Sequence, residues 1–141
     1  GSKPDSGGPH GGVRVSVMDP TGAPRIARTV DAEPISEALR TELVELTSTL
    51  CHALNDPKRL VLLHVLSAGP ASVSALADAL EASVANVSQH LAVLRDRGLV
   101  DTERDGLNVI YSLRYPELID AVSQLRGILR REMERRIGLL E

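Results

Sequence analysis

Apolar residues recur along the middle of the chain at intervals of four and three: Leu39, Leu43, Leu46, Leu50 and Ala53. That spacing lays one stripe along a helix of about five turns, with Ser36 in the position of an N-cap. Asn55-Asp56-Pro57 breaks it, because proline has no N–H to continue the ladder. Asp56 then caps a second helix with Pro57 at its first position, running through Leu60, Leu63, His64 and Leu66 to a stop at Gly69-Pro70. Val73, Leu76 and Leu80 face inward on a short third helix. Glu81-Ala82-Ser83 leads into a fourth, from Val84 to Arg95, which Gly98 closes where a left-handed cap is favoured.

Beyond Gly98 the period changes from helical to alternating. Val100, Thr102 and Arg104 interleave with Asp101 and Glu103, Asp105-Gly106 marks a tight turn, and Val109, Tyr111 and Leu113 alternate on the return. Pro116 then opens a long helix with a stripe of Leu118, Val122, Leu125, Leu129 and Met133. Two short helices joined by a tight connection form a helix-turn-helix, and a ribbon directly after the second is a wing. The expected fold is mainly α with a small two-stranded antiparallel β wing, over residues 35–141.

Residues 1–34 hold most of the glycine and proline (Gly7-Gly8-Pro9, Gly11-Gly12, Asp19-Pro20, Ala23-Pro24, Glu33-Pro34) and no apolar periodicity. They read as a flexible or disordered arm. Gly1-Ser2 has the look of a scar left by tag removal, and Met18 is an alternative native start.

Composition narrows the function. A net charge of −3 argues against coating nucleic acid by bulk electrostatics, yet leaves room for a specific binder with a few basic contacts. Phe and Trp are absent, and Tyr111 and Tyr115 are the only aromatics, which disfavours modules that stack single-stranded bases. The single cysteine, Cys51, excludes an intrachain disulfide and a paired-cysteine zinc site. There is no Gly-rich phosphate loop, no HExxH and no nucleophile beside a recognisable base, so an enzyme is not expected. No apolar run approaches the ~18 residues of a membrane span, no secretory signal is seen, and the expected location is cytoplasmic.

Three ordered motifs carry a resemblance. Leu54-Asn55-Asp56-Pro57-Lys58-Arg59-Leu60 resembles the ALxDPxRLxIL opening of ArsR/SmtB winged-helix repressors. Val87-Ser88-Gln89-His90-Leu91, Val93-Leu94-Arg95 and Gly98-Leu99-Val100 resemble that family's VSQHLxxLRxxGLV segment. Arg104-Asp105-Gly106 with Val109-Ile110-Tyr111-Ser112-Leu113 resembles its wing. The similarity spans about residues 37–136. It implies a homodimer paired through the first and last helices, with two recognition helices in successive major grooves of a double-stranded operator. The residues agree independently: both long stripes exceed what so small a core can bury, leaving Leu39, Leu43, Leu46, Leu50, Leu118, Val122, Leu125 and Leu129 for a dimer surface.

On a helical wheel, Val87, Leu91 and Leu94 define the buried side of the recognition helix. Ala85, Ser88, Gln89 and Ala92 point away from it, with Asn86 on a shoulder. Gln and Asn can bond adenine bidentately and Ser serves base or phosphate, so Gln89 and Ser88 lead as readers, then Asn86, while Ala85 permits close approach. Arg104 is the wing's candidate for minor groove or phosphate. Lys58 and Arg59 are candidates for backbone phosphate, as are Arg95 and Arg97, which also suit the helix dipole. His90 falls near the core side and reads as a packing residue.

Family members of this kind couple DNA release to metals, metalloids or cysteine oxidation, and here the chain departs from the pattern. Val73–Leu80 holds no cysteine, and residues 116–141 hold no histidine. Cys51, His52 and His64 remain as candidate ligands for a transition metal ion, although adjacent helical residues point about 100° apart. Two regulated forms stay open: an inducer at an unconventional site, or a DNA-binding subunit whose signal comes from a sensor partner protein. A winged-helix module that binds protein instead of DNA is the alternative from another class.

Overall fold

A computed structural model describes residues 34–140 continuously and, before them, residues 12–13, 16–18, 20–22, 24–26 and 30–31. The chain divides into two compact units, residues 1–44 and 45–141. In the first, four short strands pair antiparallel: β1 (Gly12–Val13) with β4 (Val30–Asp31), and β2 (Ser16–Met18) with β3 (Pro24–Ile26). Apart from residues 20–22 and Pro34, the rest of the arm lies outside the described residues. Helix α1 (Glu37–Glu45) begins as expected at Ser36, whose Oγ accepts the Leu39 amide at 3.1 Å.

Helical backbone continues from α1 through a π-helical stretch, Leu46–Cys51, into α2 (His52–Leu54). The stripe spacing is compatible with an uninterrupted α-helix and gives no sign of this wider turn. Helix α3 (Pro57–Leu66) starts where the sequence places it: Asp56 Oδ1 accepts the Lys58 amide at 2.8 Å and Pro57 opens the first turn.

The core is built in the second unit. Ala53, Leu62, Leu63 and Leu66 meet Leu76 and Ala77 of α4 (Val73–Leu80) and Val87, Leu91 and Leu94 of α5 (Val84–Asp96), closed by Leu99 and Val100. Leu62 joins Leu63 and Leu66 inside while His64 is exposed, so the inner face of α3 is rotated from the pattern read in sequence.

Strands β6 (Val100–Asp105) and β7 (Asn108–Leu113) form the wing, and β5 (Ala71–Ser72) adds a third, antiparallel strand on the far side of β7. Asp105 pairs with Asn108, so the loop residues are Gly106 and Leu107, one position beyond the turn expected at Asp105-Gly106. Gly106 has φ 61°, the positive φ at the first loop position that a type II′ hairpin requires. At the open end Arg114 Nε donates to Asp101 Oδ1 at 2.8 Å. That bond, with the attraction between the charges, raises the affinity of the Arg114 guanidinium for its proton.

Helix α6 (Glu117–Leu140) has no buried residue, and neither does α1. Leu39, Leu43, Leu46, Leu125 and Leu129 are exposed. Leu50 and Leu118 are half-buried and pack on the core of their own protomer, and Val122 is half-buried. The expected dimer stripes are therefore partly spent internally at the ends nearest the core.

Candidate nucleic-acid interface

Local capping sets the geometry of the two helices. Ser72 Oγ accepts the Ala75 amide at 3.2 Å and Ser83 Oγ accepts the Asn86 amide at 3.1 Å, satisfying amide groups that a helix start leaves unpaired. Between them Glu81 takes a left-handed backbone, φ 51°, and the Ala82 amide returns to the Ala77 carbonyl at 3.0 Å. The recognition helix ends in a Schellman arrangement: Leu99 N–H reaches Leu94 O at 2.9 Å around Gly98, whose φ is 77°.

With Val87, Leu91 and Leu94 fully buried, the opposite side of α5 presents Ala85, Gln89, Ala92 and Arg95 to solvent, while Ser88 and Asn86 are half-buried. Val84 is exposed at the helix start. Lys58 Nζ donates to Asn86 Oδ1 at 3.3 Å, which joins two sequence-predicted contact residues from different helices. Arg104 is exposed on the wing, in register with Val109. A shallow groove lined by Ser72, Ser74, Val84, Leu107 and Asn108 runs between the wing tip and the start of the helix-turn-helix.

Arg59 is placed differently from Lys58. Its guanidinium is turned onto protein acceptors, the carbonyls of His52 and Ala53 and the His90 ring. Asp56 lies nearby. Partial burial works against its charge, but the Lys58 amide, His90 and the amide and guanidinium of Arg59 hold its carboxyl below the ordinary aspartate range. One residue went unweighted in the sequence. Leu107 is fully exposed at the wing tip, where an apolar residue following the loop glycine was the available signal. Arg97, read in the sequence as a phosphate or helix-dipole candidate, bonds the carbonyl of Ser48, a partner 49 residues away that no local pattern announces.

The candidate metal ligands do not converge. Cys51, His52 and His64 are exposed, and among the described residues no three His, Cys, Asp or Glu side chains are grouped to hold an ion. Among the same residues no helix is long and apolar enough to cross a membrane.

The family profile of bacterial regulatory proteins of the arsR family matches residues 56–102. An HTH-type transcriptional regulator of Escherichia coli strain K12, YgaV, is 34% identical over 95 residues, covering 62% of this chain and 96% of that protein. The chain belongs to the arsR family. It is also 39% identical over 95 residues to the biofilm growth-associated repressor of Agrobacterium fabrum, covering 67% of this chain and 78% of that one. The crystal structure of NolR from Sinorhizobium fredii superposes with a TM-score of 0.59 at 32% identity, over 69% of this chain and 96% of that chain. The protein is thus a winged helix-turn-helix, DNA-binding transcriptional regulator of a family that includes repressors, and that family is not one of enzymes.

Proposed function

We propose that the chain acts as a homodimeric repressor that places α5 of each protomer in the major groove of a palindromic operator. The observation that carries this reading is the two-sidedness of α5: a fully buried Val87–Leu91–Leu94 face behind an outer face of Ala85, Gln89 and Ala92. Two alanines at the flanks let the backbone approach base edges closely, and Gln89 between them has the donor and acceptor geometry that adenine takes. Ser88 and Asn86 flank it as further base or phosphate contacts. Lys58, held beside Asn86, serves a phosphate, as do Arg95 at the end of α5 and Arg104 on the wing. The groove between wing tip and helix-turn-helix fits the sugar-phosphate backbone between the two elements.

Unburied apolar residues support dimerisation. Leu39 and Leu43 on α1 are exposed, as are Leu46 in the π-helical stretch and Leu125 and Leu129 on α6, and large apolar residues left exposed along a helix suit association with another chain. Pairing two copies there gives the two-fold symmetry that a palindromic operator mirrors.

The test is Gln89→Ala in fluorescence anisotropy with operator and random duplexes. Loss of one bidentate base contact predicts operator binding weaker by about 5- to 100-fold with random-duplex binding unchanged. Equal operator affinity in variant and parent removes Gln89 from the readout.

A further inference from the structure

Two arginines tie the recognition helix to the end of the preceding helical segment. Arg59 Nε donates to Ala53 O at 2.6 Å and its Nη2 to His52 O at 3.1 Å. These are carbonyls of the last helical turn, where the regular ladder of helix amides runs out. The remaining nitrogen, Nη1, lies 3.5 Å from His90 Nδ1 on α5. A guanidinium only donates, so this contact is a hydrogen bond in the form of His90 whose Nδ1 carries no proton. Seven residues further along, Arg97 at the C-cap of α5 sends Nη1 to Ser48 O at 3.0 Å, inside the π-helical stretch. Its Nε is buried without a hydrogen bond, 3.9 Å from the carboxylate of Asp96.

Each link is bonded to protein, and each joins α5, directly or through Arg59, to Ser48–Ala53. Together they contact that segment at three carbonyls over six residues while gripping α5 at its middle and its end. One link alone permits α5 to pivot, whereas two, at His90 and Arg97, lie about two turns apart and restrain its tilt against that segment. The Gln89 side chain is next to the first of these points, so a small rotation of α5 displaces it from a base edge.

We propose that Arg59 and Arg97 are positioning residues for operator recognition: they set the angle of α5 against residues 48–53 and do not bond phosphate. This rests on α5 being the operator-reading helix. It separates Arg59 from its neighbour Lys58, although both open α3 and both are cationic.

Salt dependence distinguishes the two roles, because removing one phosphate partner lowers the slope of log affinity against log salt by about 0.9, whereas mispositioning does not. Full-length Arg59→Gln, Arg97→Gln, Arg59→Lys, Arg97→Lys and, as the phosphate comparator, Lys58→Gln are titrated with operator and random duplexes across salt. The arginine variants are expected to lose operator affinity by about tenfold with random-duplex affinity and slope unchanged. Lys58→Gln is expected to weaken both duplexes in parallel and flatten the slope. The lysine variants keep the charge but cannot bond several acceptors at once, so they are expected to fall with the glutamine variants; they decide the matter if the glutamine variants do not fold. Slopes reduced by about 0.9 in the arginine variants, full rescue by lysine, or unchanged operator affinity each overturns the proposal. Insensitivity to both Gln89→Ala and Lys58→Gln marks failure of the α5 reading instead.

Discussion

Lys58 Nζ donates to Asn86 Oδ1 at 3.3 Å, which joins the first turn of α3 to the first turn of α5. The bond engages the amide oxygen of Asn86 and leaves its NH2 group and two ammonium protons of Lys58 as donors, which on the proposed reading meet acceptors on DNA. Both side chains sit near solvent, so the pair adds little to folding. Asn86→Ala is therefore expected to leave the melting temperature within about 2 °C of the parent while weakening operator binding about 3- to 10-fold, as read by thermal denaturation and anisotropy. A large fall in melting temperature with operator affinity retained assigns the pair to stability instead.

Glu81 is the only residue besides glycine with positive φ among the described residues. A left-handed backbone costs a residue with a side chain about 1–2 kcal/mol, and glycine's greater freedom when unfolded offsets part of the gain from replacing it. Glu81→Gly is expected to raise stability by about 0.5–1 kcal/mol and melting temperature by a few degrees, measured by urea and thermal denaturation. A lower melting temperature contradicts the turn geometry.

Asp56 gives a pH dependence whose sign is fixed. Its carboxyl is held below the ordinary aspartate range in the folded state because, against the cost of burial, the Lys58 amide, His90 and Arg59 favour its charge. The resulting stability is fully present above the unfolded-state value and is lost as pH falls through the folded value, below about pH 4. Asp56→Ala removes this and the helix cap together. Its melting temperature is expected to lie a few degrees below the parent at pH 7, with the gap narrowing as pH falls below about 4. A gap that widens on acidification reverses the sign.

The apolar stripe on α6 predicts its own assembly behaviour. Leu125 and Leu129 are exposed one helical turn apart, and charging both makes burial against a second copy unfavourable. The parent is expected to sediment as a dimer at micromolar concentration and Leu125→Glu/Leu129→Glu as a folded monomer, with operator affinity reduced by more than about tenfold because only one half-site is then engaged. A monomeric parent, or a variant that still dimerises, places the interface elsewhere.

Features set by a few neighbouring residues were legible in the sequence. Asp56-Pro57 had to start a helix, Ser36 had to cap one, and Gly98 had to end one, because each depends on backbone chemistry within one turn. The buried face of α5 was equally legible, since Val87, Leu91 and Leu94 recur with the helical period. Arg59 was read as a phosphate contact candidate because it stands beside Lys58 in a basic pair. Its guanidinium turns to His52, Ala53 and His90 only once the preceding helix end and α5 converge, which no local pattern encodes. The π-helical turn at Leu46–Cys51 was hidden for a related reason: leucine spacing of four and three fits an α-helix as well. Strand β5, two residues long, is too short to show alternation and exists through its pairing with Tyr111 and Ile110.

Hydroxyl-radical footprinting of the full chain on the DNA upstream of its own gene tests the repressor reading most directly. Two α5 helices in successive major grooves of a palindrome predict two protected half-sites with centres about 10 base pairs apart. They also predict protection that weakens steeply as salt rises and that needs about 5- to 100-fold more protein in Gln89→Ala. Protection indistinguishable from random DNA contradicts it.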